Sequence, residues 1–147
     1  KGLDFRMHLR AGVVHSDPIL LQRIVGNLIS NAIKYTLKGG VLVAIRESAR
    51  GAFRVEIWDT GVGIAPQHQQ AIFREFYKIP THSGTEDGFG LGLYIVSRLA
   101  HILGHPISLS SRLGRGTRFR LVLARADTDQ AAQRVAEAAG AQLDSMP

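Results

Sequence analysis

Asp17-Pro18 opens the strongest helical pattern in the chain: Ile19, Leu20, Ile24, Leu28 and Ala32 recur at helical spacing as far as Tyr35. The aspartate supplies an N-cap and the proline suits the first helical position, so the start of the helix is set locally. A helix this long with one apolar stripe has to bury that stripe against a second layer. The flanking residues say what the layer is. Leu3, Phe5, Met7 and Leu9 alternate with Asp4, Arg6, His8 and Arg10, which predicts a half-buried strand. Gly39-Gly40 interrupts the chain before Val41-Leu42-Val43-Ala44-Ile45, and Phe53, Val55 and Ile57 alternate again after Ala49-Arg50-Gly51, the pattern of a hairpin ending at Asp59.

Beyond Asp59 a glycine-containing loop leads to Pro66 and a predicted short helix reaching about Phe76, and the polar, glycine-rich stretch from Pro80 to Gly88 has no period and is expected to be mobile. Leu91, Ile95, Leu99 and Ile102 mark a second strong helix from Leu91 to Leu103, stopped by Gly104 with Pro106 just beyond. Strands are predicted at Ile107–Ser111 and Thr117–Leu123, joined by Leu113-Gly114-Arg115-Gly116. The order β-α-β-β-α-α-β-β implies an α+β fold: a two-layer α/β sandwich with a mixed, mostly antiparallel sheet covered on one face by about three helices. The domain is expected over residues 1–124, with alanine-rich 125–147 as a C-terminal helix or linker.

Composition narrows the possible functions. At 147 residues the chain is one ordinary domain, and no run of apolar residues is long enough for a membrane helix. It starts at Lys1 without a leader pattern, so it is read as a soluble, cytoplasmic fragment of a longer protein. Having no cysteine, it offers no disulfide, thiolate metal site or thiol nucleophile. The net charge of +6 suits a polyanion, but the arginines are scattered and form no block, so a solvated surface is expected rather than nucleic-acid or membrane contact.

Three short segments carry chemistry. Asn27 and Asn31 lie four apart on the first helix, on one face, with Lys34 and Tyr35 following to supply a cation and a stacking ring. An amide oxygen is a hard ligand of the kind Mg²⁺ accepts. Asp59-Thr60-Gly61-Val62-Gly63-Ile64 puts a carboxylate at a strand end with two glycines behind it, able to accept from an amino group in the gap. Gly88-Phe89-Gly90-Leu91-Gly92-Leu93 leads into the second helix, where backbone N–H groups favour phosphate. It is neither a dinucleotide fingerprint nor a P-loop, and the eukaryotic-type kinase signatures are absent.

In this order the segments resemble the nucleotide-binding boxes of the GHKL superfamily, and within it the histidine kinase branch. Asn27 to Thr36 looks like its N box, Asp59 to Ile64 its G1 box, Phe73-Arg74-Glu75-Phe76-Tyr77 its F box, Gly88 to Leu93 its G2 box, and Gly114-Arg115-Gly116-Thr117 the turn into its last strand. The resemblance implies ATP and Mg²⁺ as cofactors, with Pro80 to Gly88 as a short lid. It implies that Asn31 holds the metal, Lys34 reaches the phosphates, Tyr35 lies against adenine, Asp59 accepts from the adenine amino group, and Thr117 touches adenine through water. Gly61, Gly63, Ile64, Gly88, Gly90, Leu91, Gly92 and Leu93 complete the nucleotide site, and Asn27, Asn31 and Lys34 make up the catalytic set. Phe73 and Phe76 are expected as core or hinge aromatics, with Arg74 and Lys78 open to phosphate or a partner domain.

The implied activity is that of a protein-histidine kinase, donating the γ-phosphate to a histidine on the protein's own upstream dimerisation/phosphoacceptor domain, with a response regulator served indirectly. The fragment is expected to be monomeric and its parent homodimeric. None of the six histidines is followed by the acid and then apolar residues and proline that mark an acceptor, so the acceptor is expected outside this sequence. His101 and His105 straddle the end of the helix at Gly104 and make a poor metal pair. Two rivals stand beside this reading: a GHKL-type ATP hydrolase, and a degenerate ATP-binding regulatory module without transfer.

Overall fold

The computed structural model describes residues 2–80 and 90–126. Five strands, β1 (Asp4–His8), β2 (Gly40–Glu47), β3 (Phe53–Asp59), β4 (Ile107–Arg112) and β5 (Gly116–Leu123), form one sheet in the order β1-β2-β3-β5-β4. β1 runs parallel to β2 and every other pairing is antiparallel. This is the mixed, mostly antiparallel sheet expected. The helices α1 (Pro18–Lys34) and α2 (Gly92–Leu103) lie against each other, and α1 lies on β2 and β3.

α1 begins as its sequence dictates, with the Asp17 carboxylate accepting from the Leu20 N–H at 2.9 Å and Pro18 in the first turn. Ile24, Leu28 and Ala32 are its buried stripe, and they meet Val41, Val43, Val55 and Ile57 from the sheet and Val96 and Ala100 from α2 in one core. α2 ends on Gly104 in the left-handed region at φ 69°, a conformation that costs glycine nothing.

Two elements differ from expectation. β1 is not half-buried: it is exposed along its whole length, with Met7 60% accessible. It is an edge strand whose sole neighbour in the sheet is β2, so much of the surface of its apolar side chains stays open. The predicted helix from Pro66 to about Phe76 is instead two 3-10 turns, Pro66–His68 and Ala71–Phe73, which form the third helical piece of the layer. Few apolar residues between Pro66 and Phe76 reach the core; Ile72 is buried there, and Phe73 meets Phe119 edge-on with ring centroids 6.2 Å apart. Residues 81–88 of the expected lid and 127–147 of the expected tail lie outside the described residues. The chain does not leave the fold at 124, since Arg125 bridges Val14 and the Ala126 N–H donates to the Val13 carbonyl at 2.9 Å.

Candidate nucleotide site

At one end of the sheet the last residue of β3, Asp59, stands opposite Thr117 of β5. Its Oδ1 accepts from the Gly61 N–H at 2.9 Å, which leaves acceptor capacity on the other oxygen. Burial pushes the carboxyl up from its ordinary value, and hydrogen bonds from the Gly61 and Thr117 backbones draw it part of the way back. A half-buried acid pinned by backbone donors is a fixed acceptor for a polar group entering the gap.

The glycines after Asp59 are required by the protein's own backbone. A Cβ on Gly61 would collide with the Tyr35 carbonyl at the end of α1. One on Gly63, at φ 72°, would run into the Arg112 carbonyl, and one on Gly116, at φ 104°, into the Asp59 carbonyl. The loop is therefore clamped between helix and strands, with the Val62 N–H reaching the Tyr35 carbonyl at 3.4 Å and the Gly114 N–H donating to the Val62 carbonyl at 2.7 Å.

Two residues that sequence reasoning missed hold this clamp. The Ser111 hydroxyl accepts from the Ile64 N–H at 2.7 Å, donates to the Gly116 carbonyl at 3.0 Å, and lies 2.8 Å from the Thr117 hydroxyl. The Gln69 amide donates to the carbonyls of Ile64, at 2.9 Å, and Ser111, at 3.2 Å. For Ser111 a signal existed: it follows Ile107 and Leu109 in period two, so a hydroxyl falls at an inward-facing position where a partner is required. Gln69 carried none.

The helical residues are placed less closely. Asn27 and Asn31 are half-buried on α1, and the Asn31 carbonyl accepts from the Tyr35 N–H at 3.0 Å. Tyr35 caps the helix with 51% of its surface accessible, and the Lys34 ammonium sits 5.3 Å from its ring centroid. Gly88 lies outside the described residues. Gly90, at φ 72°, packs against Phe76 and Tyr77, and its carbonyl accepts from the Phe76 N–H at 3.1 Å, so the F-box and G2-box segments are tied together. Phe76 takes φ 61°, a strained conformation for a bulky residue. α2 begins at Gly92, with Leu91 as a cap that offers no side-chain hydrogen bond and open space where a Gly92 Cβ would sit. Half-buried Leu93 belongs to its first turn and packs on the core.

No group of three His, Cys, Asp or Glu side chains that could cage a metal occurs among the described residues. The donors of the expected kind are the half-buried amides of Asn27 and Asn31 on α1, hard oxygen ligands of the sort that Mg²⁺ accepts beside phosphate and water.

A signature of the histidine kinase-, DNA gyrase B- and HSP90-like ATPases matches residues 16–127, and the chain belongs to that family. Among curated proteins it is 35% identical over 127 residues to the signal transduction histidine-protein kinase BarA of Escherichia coli K12, covering 81% of this chain and 14% of that protein. It is 40% identical over 115 residues to drug sensory protein A of a Synechocystis strain, covering 71% and 17%. The chain thus spans a small part of the curated relatives it matches. Among solved structures it is similar to full-length ShkA in complex with AMPPNP, at 32% identity and TM-score 0.72 over 86% of this chain and 27% of that one. The mycobacterial sensor histidine kinase MprB matches at 26% identity and TM-score 0.71, over 84% of each chain.

Proposed function

We propose that this domain binds Mg-ATP and donates the γ-phosphate to a histidine on a separate dimerisation/phosphoacceptor domain in two-component signalling, so that it is the catalytic part of a protein-histidine kinase. The observation that carries this is Asp59: a half-buried carboxylate held by the Gly61 N–H at the end of β3, with Thr117 opposite it on β5. Family membership and the similarity to histidine kinases support it.

Each residue then has a task. Asp59 accepts from the adenine amino group, and Thr117, anchored through Ser111, bounds the same pocket. Tyr35, exposed at the helix end, offers a face to the base, and Lys34 beside it a cation to the phosphates. The uncapped first turn of α2, behind Gly90, Leu91 and Gly92, presents N–H groups suited to phosphate oxygens. Asn31 would hold Mg²⁺, which when bound neutralises charge on the phosphates. Positioning carries most of such a reaction, since phosphoryl transfer asks for alignment and charge neutralisation more than covalent help. Because the acceptor histidine lies on another domain, the partners are the protein's own upstream phosphoacceptor domain and, through it, a response regulator. No helix among the described residues is long and apolar enough to cross a membrane.

Calorimetry with ATP and GTP tests the assignment. GTP offers a carbonyl oxygen where ATP offers an amino donor, so discrimination of roughly 10⁴-fold or more is expected. Comparable affinities would remove Asp59 from the role.

A further inference from the structure

The face of the sheet opposite the helices has a composition of its own. Residues alternating with core-facing Val55 and Ile57 place Arg54, Glu56 and Trp58 on it from β3. Register adds Arg46 from β2, opposite Arg54, and Arg118 and Arg120 from β5, opposite Trp58 and Glu56. Four arginines therefore surround one carboxylate, a local charge of +3. Glu56, only 2% accessible, lies 3.2 Å from Arg46, 3.2 Å from Arg120 and 3.8 Å from Arg118. It cannot neutralise them all. The Nε atoms of Arg54 and Arg118 are buried and have no hydrogen-bond partner among the described residues.

The chain supplies acceptors of its own. Residues 127–147 carry Asp127, Asp129, Glu137 and Asp144 against the single cation Arg134, a net charge of −3. Their starting point is fixed: Arg125 pairs with Glu47 at 3.0 Å, and Ala126 is bonded to Val13 at the end of the sheet nearest the Arg46–Arg54 row. Asp127 is the next residue. A tethered segment meets an adjoining surface at an effective concentration near the millimolar range, so weak charge pairing suffices to hold it there.

We propose that the face of the sheet that no described helix covers is the docking surface for the chain's own acidic segment 127–147, whose carboxylates offset the positive charge that Glu56 leaves uncompensated. The pairing is independent of nucleotide chemistry, and it makes the arginine face a site whose occupancy depends on the charge of the segment beyond Ala126.

Trp58 is the only tryptophan of the chain, lies on this face with 38% of its surface accessible, and has the Arg118 guanidinium 4.9 Å from its ring centroid. Its fluorescence therefore reports coverage directly. Acrylamide quenching is to be measured on the whole 147-residue chain and on the variant Asp127→Asn/Asp129→Asn/Glu137→Gln/Asp144→Asn. At low salt the wild type is expected to quench roughly twofold less than the variant, and to rise to the variant's level at about 1 M NaCl, where charge attraction is screened beyond ~3 Å. Equal quenching of the two proteins at low salt overturns the proposal, as does a salt response of the same size in both. Protection that grows with protein concentration would identify a second copy as the occupant. Protection that appears only on adding phosphatidylserine vesicles would identify a membrane, and either result overturns the intramolecular reading.

Discussion

Burial lifts the Asp59 carboxyl above its ordinary value, and the N–H groups of Gly61 and Thr117 offset only part of that. A raised folded-state value means that the folded protein binds the proton more tightly than the unfolded chain, so this residue's contribution to stability falls as pH rises through its folded pKa. At neutral pH the ionised group is a cost the nucleotide-free fold bears. Asp59→Asn keeps an oxygen to accept from Gly61 and sheds the charge. The variant is expected to melt at the same temperature as the wild type or higher without nucleotide, yet to gain no thermal shift from Mg-ATP; a large destabilisation with ATP binding intact would contradict the role. His105 works with the opposite sign. It is buried between the ends of α1 and α2, its Nε2 2.7 Å from the Ser16 hydroxyl, and burial holds its pKa below 6.5. The unfolded chain protonates first on acidification, so stability is lost as pH falls from about 6.5 toward the folded value. His105→Gln should flatten the decline in urea midpoint between about pH 7.5 and 5.5, and an unchanged decline would assign it to other groups.

At the scale of elements, the residues that pack across the two layers were the legible ones. The stripe of α1, the hairpin of β2 and β3, and the glycine stop of α2 each follow from a local rule that the core then reinforces. β1 alternates in the same way and is nonetheless exposed, because alternation records which residues share a face and not whether anything covers that face. The segment after Pro66 reads as a helix but breaks into 3-10 turns, since its side chains are tied by polar bonds outside a helical register: His68 Nδ1 to the Tyr77 hydroxyl at 2.6 Å, and Gln69 to the carbonyls of Ile64 and Ser111. In the candidate site, Asp59 and its glycines stood out through spacing, whereas the clamp made by Ser111 spans 47 residues in sequence and only the sheet brings it about. Gly63→Ala tests that clamp, because a Cβ there meets the Arg112 backbone at a left-handed φ of 72°. A loss of about 1–3 kcal/mol in unfolding free energy is expected from the conformation alone, with ATP affinity falling further than stability does. For comparison, Leu28→Ala removes a fully buried side chain from the α1 stripe and should cost about 2–5 kcal/mol while leaving the ATP-to-GTP preference unchanged.

For the whole molecule, the residue proposed to decide is Asn27, where the resemblance separates two fates for the same bound ATP. The resemblance implies that in the hydrolysing relatives the first N-box position is typically a glutamate that takes a proton from attacking water; here it is a half-buried amide on α1 with no useful basicity. A general base contributes about 10²–10⁴-fold to such a step. A histidine acceptor would bring its own lone pair, so on the proposed reading transfer loses little from the lack of that base, and little idle hydrolysis is expected. The domain by itself is accordingly expected to bind Mg-ATP, to release almost no phosphate in steady state, and to leave its own histidines unlabelled by γ-³²P-ATP. Adding the proposed phosphoacceptor domain should give label on that domain alone. Asn27→Glu supplies the missing carboxylate, and a rise in phosphate release with unchanged ATP affinity would show that the residue sets the fate of the γ-phosphate. Steady turnover by the wild-type chain alone, lost in Asp59→Asn, would instead mark a hydrolase and overturn the kinase assignment.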